Sequence, residues 1–121
     1  MSRARVLLGK AGEDLACAEL ERRGYAIVAR RYRRRGGEID IVSRDGETIV
    51  FVEVKARAGR VFGDAAEAVT PLKQLRMTRL AEQYLVKHCL SECPSRFDVV
   101  SIHYEAGGTR VEVFQNAFDA R

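Results

Sequence analysis

Apolar positions follow a helical period near the start of the chain and a strand period over much of what comes next. Residues 8–23 carry apolar side chains every three or four positions, which predicts an amphipathic helix. Gly24 is placed to end that helix in a left-handed conformation. Residues 25–33 then predict a strand that is apolar at its start and basic at its far end.

Two further strands are predicted at residues 38–44 and 47–55. The dipeptide Asp45-Gly46 between them is a strong signal for a two-residue hairpin. The second of these strands is apolar on both faces, so we expect it in the centre of a sheet that is covered on both sides. Residues 58–69 contain Gly59 and Gly63 and have no regular period, which predicts a loop.

A second helix begins at Thr70, the expected N-cap, with Pro71 as its first helical residue. Its apolar stripe consists of Met77, Leu80, Ala81, Tyr84, Leu85 and His88. His88 ends that stripe, where a partly buried core residue is favoured over a ligand. Pro94 marks the exit, and strands are predicted at 97–104 and 110–115 around Gly107-Gly108.

The predicted order is therefore α-β-β-β-α-β-β within one domain over residues 1–121. A strand, a crossover helix and another strand imply one parallel pairing in an otherwise antiparallel sheet. Helices flanking such a mixed sheet give an α/β fold of three layers, α/β/α.

Composition is that of a globular protein, with 46% hydrophobic and 31% charged residues. No apolar run approaches the roughly 20 residues that span a bilayer, and the basic N-terminus is followed by only three consecutive apolar residues. We therefore expect a cytoplasmic protein without a membrane partner. The three cysteines, Cys17, Cys89 and Cys93, suit buried reduced thiols better than a disulfide framework or a zinc site.

The net charge of +4 is unevenly distributed, because seven arginines and no acidic residue lie between Arg22 and Gly37. Arginine outnumbers lysine 17 to 4, and its planar fork can bind phosphate oxygens in pairs. Such a basic stripe is typical of nucleic-acid contact, although a solvated strand end is an equally simple interpretation.

The predicted hairpin also indicates which carboxylates meet. If Asp45-Gly46 forms the two-residue turn, Glu38 lies opposite Glu53 and Asp40 lies opposite Phe51. Side chains alternate along a strand, so these four share one face. Asp40 is then a diagonal neighbour of Glu53, roughly 7 Å away.

Lys55 follows Glu53 on the same face and offsets one negative charge. Like charges on one face of a sheet repel, and buried charges must be paired or bind a metal. Oxygen ligands of this kind suit Mg²⁺ or Mn²⁺. The alternative is a solvent-facing strand with incidental ion pairs, but Glu53 and Lys55 interrupt an otherwise apolar run.

Two blocks of this sequence resemble the YraN-like family of bacterial proteins, Gly37-Glu38-Ile39-Asp40-Ile41-Val42 and Phe51-Val52-Glu53-Val54-Lys55-Ala56-Arg57. That family is placed in the PD-(D/E)XK, restriction-endonuclease-like superfamily and is similar to archaeal Holliday-junction resolvases. Nearly the whole chain takes part through the blocks Gly9-Lys10-Ala11-Gly12-Glu13, Lys73-Gln74, Arg96-Phe97-Asp98-Val99-Val100 and Asn116-Ala117-Phe118. One departure is Arg31, where relatives often carry Asn.

The resemblance implies a metal-dependent nuclease. Asp40 and Glu53 would be metal ligands, Glu13 would complete or support the metal site, and Lys55 would activate water and stabilise developing charge. The cofactor would be Mg²⁺ or Mn²⁺. DNA is the favoured substrate, branched or junction DNA included, and junction cleavage would need a homodimer. A non-catalytic nucleic-acid-binding module on the same fold is the alternative.

Other residues receive supporting roles. Lys73 and Gln74 would stand near the site at the N-terminus of the second helix, whose dipole suits a phosphate. Gln74 would support the metal ligands from behind, and Glu38 is equally well explained as such a support or as a packing residue. The residues expected to contact nucleic acid are Arg30, Arg31, Arg33, Arg34, Arg35, Arg57 and Lys73.

Overall fold

The computed structural model describes residues 3–58 and 68–121. Its elements are α1 (Arg3–Arg22), β1 (Ala26–Arg34), β2 (Gly37–Asp45), β3 (Thr48–Ala58), α2 (Pro71–Lys87), β4 (Ser95–Glu105) and β5 (Gly108–Phe118). The predicted order α-β-β-β-α-β-β is confirmed. Most of the loop predicted at 58–69 lies outside the described residues.

The five strands form one mixed sheet in the order β1-β2-β3-β4-β5. β3 pairs with β4 in parallel, and the other three pairings are antiparallel. The crossover that a parallel pair requires contains α2. β3 is the central strand, as its apolar character on both faces predicted.

Each face of the sheet is covered by one helix, which completes the predicted α/β/α layers. The core under α2 is built around Phe51 and includes Met77, Leu80 and Tyr84 from the helix. The core under α1 includes Ala16, Cys17 and Leu20 from the helix, packed on alternate residues of β3 and β4. Burial of apolar residues on both faces holds the central strands rigidly, so they form a firm base for polar side chains.

Both helix ends named in the sequence are confirmed. Gly24 has a φ of 95°, and the N–H of Tyr25 donates to the carbonyl of Leu20 at 2.9 Å, as in a left-handed C-terminal stop. At the start of α2, the Thr70 side chain accepts a hydrogen bond from the Lys73 N–H at 3.2 Å. That cap fixes where Lys73 stands in the first turn.

Two predictions about side-chain burial were wrong. His88 is exposed and not part of the core, because α2 ends at Lys87 and His88 is already its C-cap; the ring instead contacts Tyr84, with 4.2 Å between centroids. Of the cysteines only Cys17 is buried, while Cys89 is exposed in the segment between α2 and β4. No helix in the described part of the chain is both long and apolar enough to cross a bilayer.

The predicted register of the β2–β3 hairpin was wrong by two residues. Asp45 pairs with Thr48, so the turn residues are Gly46 and Glu47. Gly46 has a φ of 61°, as the first position of a type II′ turn requires. Asp45 stays in the strand, where its carboxylate accepts a hydrogen bond from Arg96 at 2.8 Å.

As a consequence Phe51 lies opposite Val42 and not opposite Asp40. Ile41 lies opposite Val52, so Asp40 comes next along β2, beside the position of Glu53. A shift of two residues leaves each side chain of a regular strand on its predicted face, whereas a shift of one would not. The second predicted turn is also displaced, because Glu105 pairs with Gly108 and the turn is Ala106-Gly107.

Candidate active site around two buried carboxylates

The neighbouring strands β1 and β2 are distorted at the point where the site forms. Ile39 and Val42 both pack in the core under α2, whereas Ile41 packs in the core under α1. Regular alternation would place Ile39 and Ile41 together, so the pattern is interrupted at Asp40. On β1 the facing residue is Arg31, which has a φ of 52°. The left-handed region is unfavourable for a non-glycine residue such as arginine, and Asn tolerates it better.

The distortion directs the Asp40 carboxylate toward β3. Its Oδ2 accepts a hydrogen bond from the backbone N–H of Val54 at 2.8 Å. Asp40 is half-buried, and its neighbour Glu53 is 2% exposed. Burial, followed by the charge of Glu53, raises the pKa of Asp40 to about 7. The structure therefore brings Asp40 and Glu53 together as expected, although through a different register and a strand irregularity.

Two lysines surround Glu53. The Nζ of Lys73 lies 2.7 Å from Glu53 Oε1, and the Nζ of Lys55 lies 4.0 Å from the same oxygen. Burial alone would lower the pKa of Lys73, but its hydrogen bond to Glu53 and the charges of Glu53 and Asp40 outweigh burial, so the pKa is raised. Sequence reasoning assigned the partner role to Lys55. The ammonium nearer to Glu53 is that of Lys73. In the sequence, the Thr70 cap already located Lys73 in the first turn of α2, and this was the available signal for its role.

The other oxygen of Glu53, Oε2, is buried and has no hydrogen-bond partner among residues 3–58 and 68–121. A buried carboxylate oxygen left unpaired costs free energy, so such an atom in a native site calls for a ligand or an ordered water. Asp40 and Glu13 line a cleft of about 150 Å³, whose other lining residues are Gly9, Gly12, Val54 and Ala56. The donor set and the small residues beside it fit a divalent cation with its remaining water ligands.

Glu13 is held differently from the other two predicted ligands. Its Oε2 accepts from the Nε of Arg31 at 2.9 Å, and the guanidinium of Arg30 lies 3.9 Å from Oε1. No three His, Cys, Asp or Glu side chains of the described residues are gathered closely enough to form a ready metal site. Glu13 thus shares the cleft with Asp40 but is engaged by arginine, and the predicted metal ligands remain a prediction.

The two supporting residues have partners of their own. Glu38 pairs with Arg33 at 3.0 Å at the surface. Gln74 is buried on α2, where its amide donates to the Val69 carbonyl at 2.9 Å and accepts from Arg121 at 2.8 Å. Gln74 therefore anchors the start of α2, which carries Lys73.

In the structure, some arginines of the predicted stripe pair with carboxylates of the described residues and the others do not. Arg30, Arg31 and Arg33 pair with carboxylates of this chain, Arg30 with Asp14 at 2.7 Å. Arg34 lies over the ring of Tyr32, with 4.3 Å from its guanidinium carbon to the ring centre. The others are Arg35, exposed in the β1–β2 turn, and Arg57, near the end of β3.

A further buried carboxylate is that of Asp98, a residue to which sequence reasoning assigned no function. It is 0% exposed and accepts hydrogen bonds from Arg96 Nε at 3.0 Å, Tyr25 Oη at 3.0 Å and the Asn116 N–H at 3.0 Å. Arg96 also donates to Asp45 at 2.8 Å. This network joins β4 to β5, to the start of β1 and to the β2–β3 turn. The sequence pattern that could have indicated this network is an arginine and an aspartate, Arg96 and Asp98, at alternate positions of an otherwise apolar strand.

Comparisons with known proteins place these observations among relatives. The model of the uncharacterised protein family UPF0102 matches residues 12–102. The UPF0102 protein of Syntrophus aciditrophicus is 46% identical over 111 residues, covering 92% of this chain and 87% of that protein. That of Symbiobacterium thermophilum is 47% identical over 114 residues, covering 93% and 97%. That of Pelotomaculum thermopropionicum is 42% identical over 120 residues, covering 98% and 100%.

Among solved structures, one similar chain is Pyrococcus furiosus SfsA in complex with Ca²⁺. The TM-score is 0.41 at 17% identity, over 95% of this chain and 65% of that one. This chain thus spans less than two thirds of the length of SfsA. A likeness at this TM-score establishes no activity.

Proposed function

This chain belongs to the uncharacterised protein family UPF0102, the YraN-like family that its motifs resemble, and we propose that it hydrolyses phosphodiester bonds of nucleic acid with a divalent cation held by Asp40 and Glu53. The observation that carries the proposal is the buried carboxylate pair itself. One oxygen of Glu53 has no partner in the described part of the chain, and the pKa of Asp40 is raised to about 7 by burial and by Glu53. Perturbed, incompletely paired groups of this kind concentrate at functional sites.

A bound Mg²⁺ or Mn²⁺ would polarise a phosphoryl oxygen and lower the pKa of a water molecule. Asp40 and Glu53 would hold it, and Glu13 lines a cleft together with Asp40. Two neighbouring carboxylates that burial and mutual repulsion both penalise favour a cation between them.

The lysines would act directly on the substrate. Both ammonium groups are partly exposed, with 35% of the Lys55 side chain and 39% of the Lys73 side chain accessible. An ammonium that reaches solvent beside the carboxylates can bind a phosphate oxygen and stabilise the charge that develops as the bond breaks. Lys73 also stands in the first turn of α2, where the helix dipole adds positive potential.

The second candidate is a nucleic-acid-binding module without turnover. It is favoured by the 2.7 Å contact between Lys73 and Glu53, which already compensates one buried charge without a metal. In that case the lysines and arginines would bind phosphate, and the carboxylates would only order the lysines. Both candidates place the protein in the cytoplasm with nucleic acid as partner and DNA favoured.

The two candidates separate in a cleavage assay. Purified protein with Mn²⁺ is incubated with labelled duplex, flap, four-way-junction and single-stranded DNA and with the matching RNA. We expect cleavage of at least one substrate by the wild type and none by Glu53→Gln, which keeps the shape of the side chain and removes its charge. Tight binding without cleavage of any substrate would decide for the binding module.

A further inference from the structure

A basic cleft of about 230 Å³ lies between α2 and the β1–β2 turn, apart from the carboxylates. Three exposed arginines line it, Arg35 from the turn and Arg76 and Arg79 from the helix. The remaining lining residues are Gly36, Leu80 and Gln83, so the lining contains no carboxylate. Three positive charges around one concave surface repel each other, and an anion in the cleft would remove that repulsion.

The cleft depends on a close approach of backbone to helix. Gly37 has a φ of 155°, and a Cβ added there would lie 3.3 Å from Leu80 Cδ1 and 3.7 Å from Arg76 Cβ. A Cβ there would require the end of the Leu80 side chain to shift by a few tenths of an ångström, so the backbone at Gly37 lies close against α2. This close approach places the β1–β2 turn, which carries Arg35, beside the helix arginines.

The guanidinium groups of this cleft differ from those of the predicted stripe. Arg30, Arg31 and Arg33 are each held by a carboxylate. Arg35, Arg76 and Arg79 form no salt bridge within residues 3–58 and 68–121. An arginine that already pairs with a carboxylate has less to gain from a phosphate, because it must first give up that partner.

The position of the cleft relates it to the carboxylates. Lys73, Arg76 and Arg79 follow one another at intervals of three residues, so they lie along one edge of α2. At a rise of 1.5 Å per residue the row is about 9 Å long. A nucleic-acid strand advances about 3.4 Å per nucleotide, so the row matches roughly three phosphates. Its first member contacts Glu53, and the row leads outward from there.

We propose that Arg35, Arg76 and Arg79 form the phosphate track along which a nucleic-acid strand reaches Lys73 and the carboxylates. The inference rests on the proposed function for its substrate and adds the surface that binds it. The occupant is a nucleic-acid backbone and not a free anion, because the charges form a line with one end at the candidate catalytic pair. The paired arginines Arg30 and Arg33 contribute little to it.

The test is the salt dependence of nucleic-acid binding in the absence of metal. Duplex DNA binding is measured by fluorescence anisotropy between 50 and 200 mM salt for the wild type and for Arg76→Gln/Arg79→Gln. Each lost phosphate contact lowers the slope of log affinity against log salt by about 0.9, so we expect a fall of about 1.8. The control Arg22→Gln/Arg23→Gln removes the same charge at the end of α1, where both arginines pair with Glu19, and should keep the wild-type slope.

An equal slope for the wild type and Arg76→Gln/Arg79→Gln would overturn the track, and so would an equal fall in the control. Failure of the wild type to bind any nucleic acid would overturn it as well. Binding to phosphatidylglycerol vesicles that depends on Arg76 and Arg79, with an unchanged DNA slope, would assign the cleft to a membrane surface. Cleavage in Mn²⁺ is measured separately: a reduced slope without cleavage supports the track and contradicts the nuclease, whereas cleavage with an unchanged slope does the reverse.

Discussion

Two carboxylates are buried in the same sheet, Asp98 on β4 and Glu53 on β3, and their surroundings differ sharply. Both oxygens of Asp98 are occupied by donors from Arg96, Tyr25 and the backbone of Asn116. Glu53 accepts a hydrogen bond from Lys73 on one oxygen, and its other oxygen has no partner among the residues that the structure describes. The two carboxylates are thus similarly buried, but within the described part of the chain the hydrogen bonding of Asp98 is complete and that of Glu53 is not.

The difference is the basis for proposing a structural role for Asp98 and a functional role for Glu53. A buried charge whose donors are all protein groups gains nothing from a ligand, and the donors around Asp98 come from three separate parts of the fold: β4, β5 and the residue before β1. A buried charge with an open position next to a second carboxylate is poised to bind something that neutralises both. The variants below test that distinction, beginning with the largest expected effect.

Loss of the Asp98 carboxylate should cost the most stability. Asp98→Ala leaves Arg96 and Tyr25 partly unpaired in the interior, and breaking a buried pair from one side costs about 3–5 kcal/mol. Urea denaturation at neutral pH measures the free energy of unfolding. Asp40→Asn is the matched comparison, and it should be as stable as the wild type or more stable, because it removes a repelling charge. Equal losses for the two variants would erase the proposed difference between the sites.

The next effect is catalytic. Lys55→Met keeps the length of the side chain and removes the ammonium 4.0 Å from Glu53. We expect the cleavage rate to fall by about 10²–10³, as for the loss of one donor that acts on developing charge. The affinity for nucleic acid should stay within a few-fold, and Lys87→Met at the far end of α2 should cleave normally. A parallel fall in affinity and rate would instead make Lys55 a phosphate-binding residue.

Stability should also depend on pH through Asp40. Its pKa is raised from 3.8 to about 7, so between those values the folded protein holds a proton that the unfolded chain has lost. Stability from this group is present below about pH 4 and is lost as the pH rises through 7. The full shift corresponds to about 4 kcal/mol, but solvent reaches the half-buried carboxylate, so we expect about 1–2 kcal/mol. The free energy of unfolding is measured against pH, with a chelator present, for the wild type and for Asp40→Asn. The difference between the two proteins should change with pH between about 4 and 7, and a difference that does not change would refute the raised pKa of Asp40.

The smallest effect concerns the third carboxylate. Arg31→Asn relieves the left-handed backbone at φ 52° and removes the 2.9 Å pair with Glu13. The gain in backbone energy and the loss of a partly exposed ion pair each amount to about 1 kcal/mol, so stability should change by less than about 1 kcal/mol. Glu13 is then freed for a cation, and Mn²⁺ affinity should rise. Weaker Mn²⁺ binding by this variant would show that Glu13 takes no part in the site.

The sequence predicted the fold more completely than the site. Hydrophobic periods, the Thr70-Pro71 start and the Gly24 stop located the elements, because each depends on local chemistry. The register of the hairpin depends on more than local sequence, because Asp45 accepts a hydrogen bond from Arg96, which lies far along the chain. The irregularity at Asp40 and Arg31 breaks the alternation from which faces are predicted. The contact between Lys73 and Glu53 depends on how α2 packs on the sheet, which periodicity does not determine.

The central claim is that Asp40 and Glu53 hold a divalent cation, and calorimetric titration with Mn²⁺ tests it most directly. The wild type should release or absorb binding heat and melt at a higher temperature with the metal, since a ligand of the native state stabilises it by about 2.7 kcal/mol at a hundred times its Kd. Asp40→Asn and Glu53→Gln should each lose both effects while remaining folded. Identical heats and melting shifts for all three proteins would contradict the account.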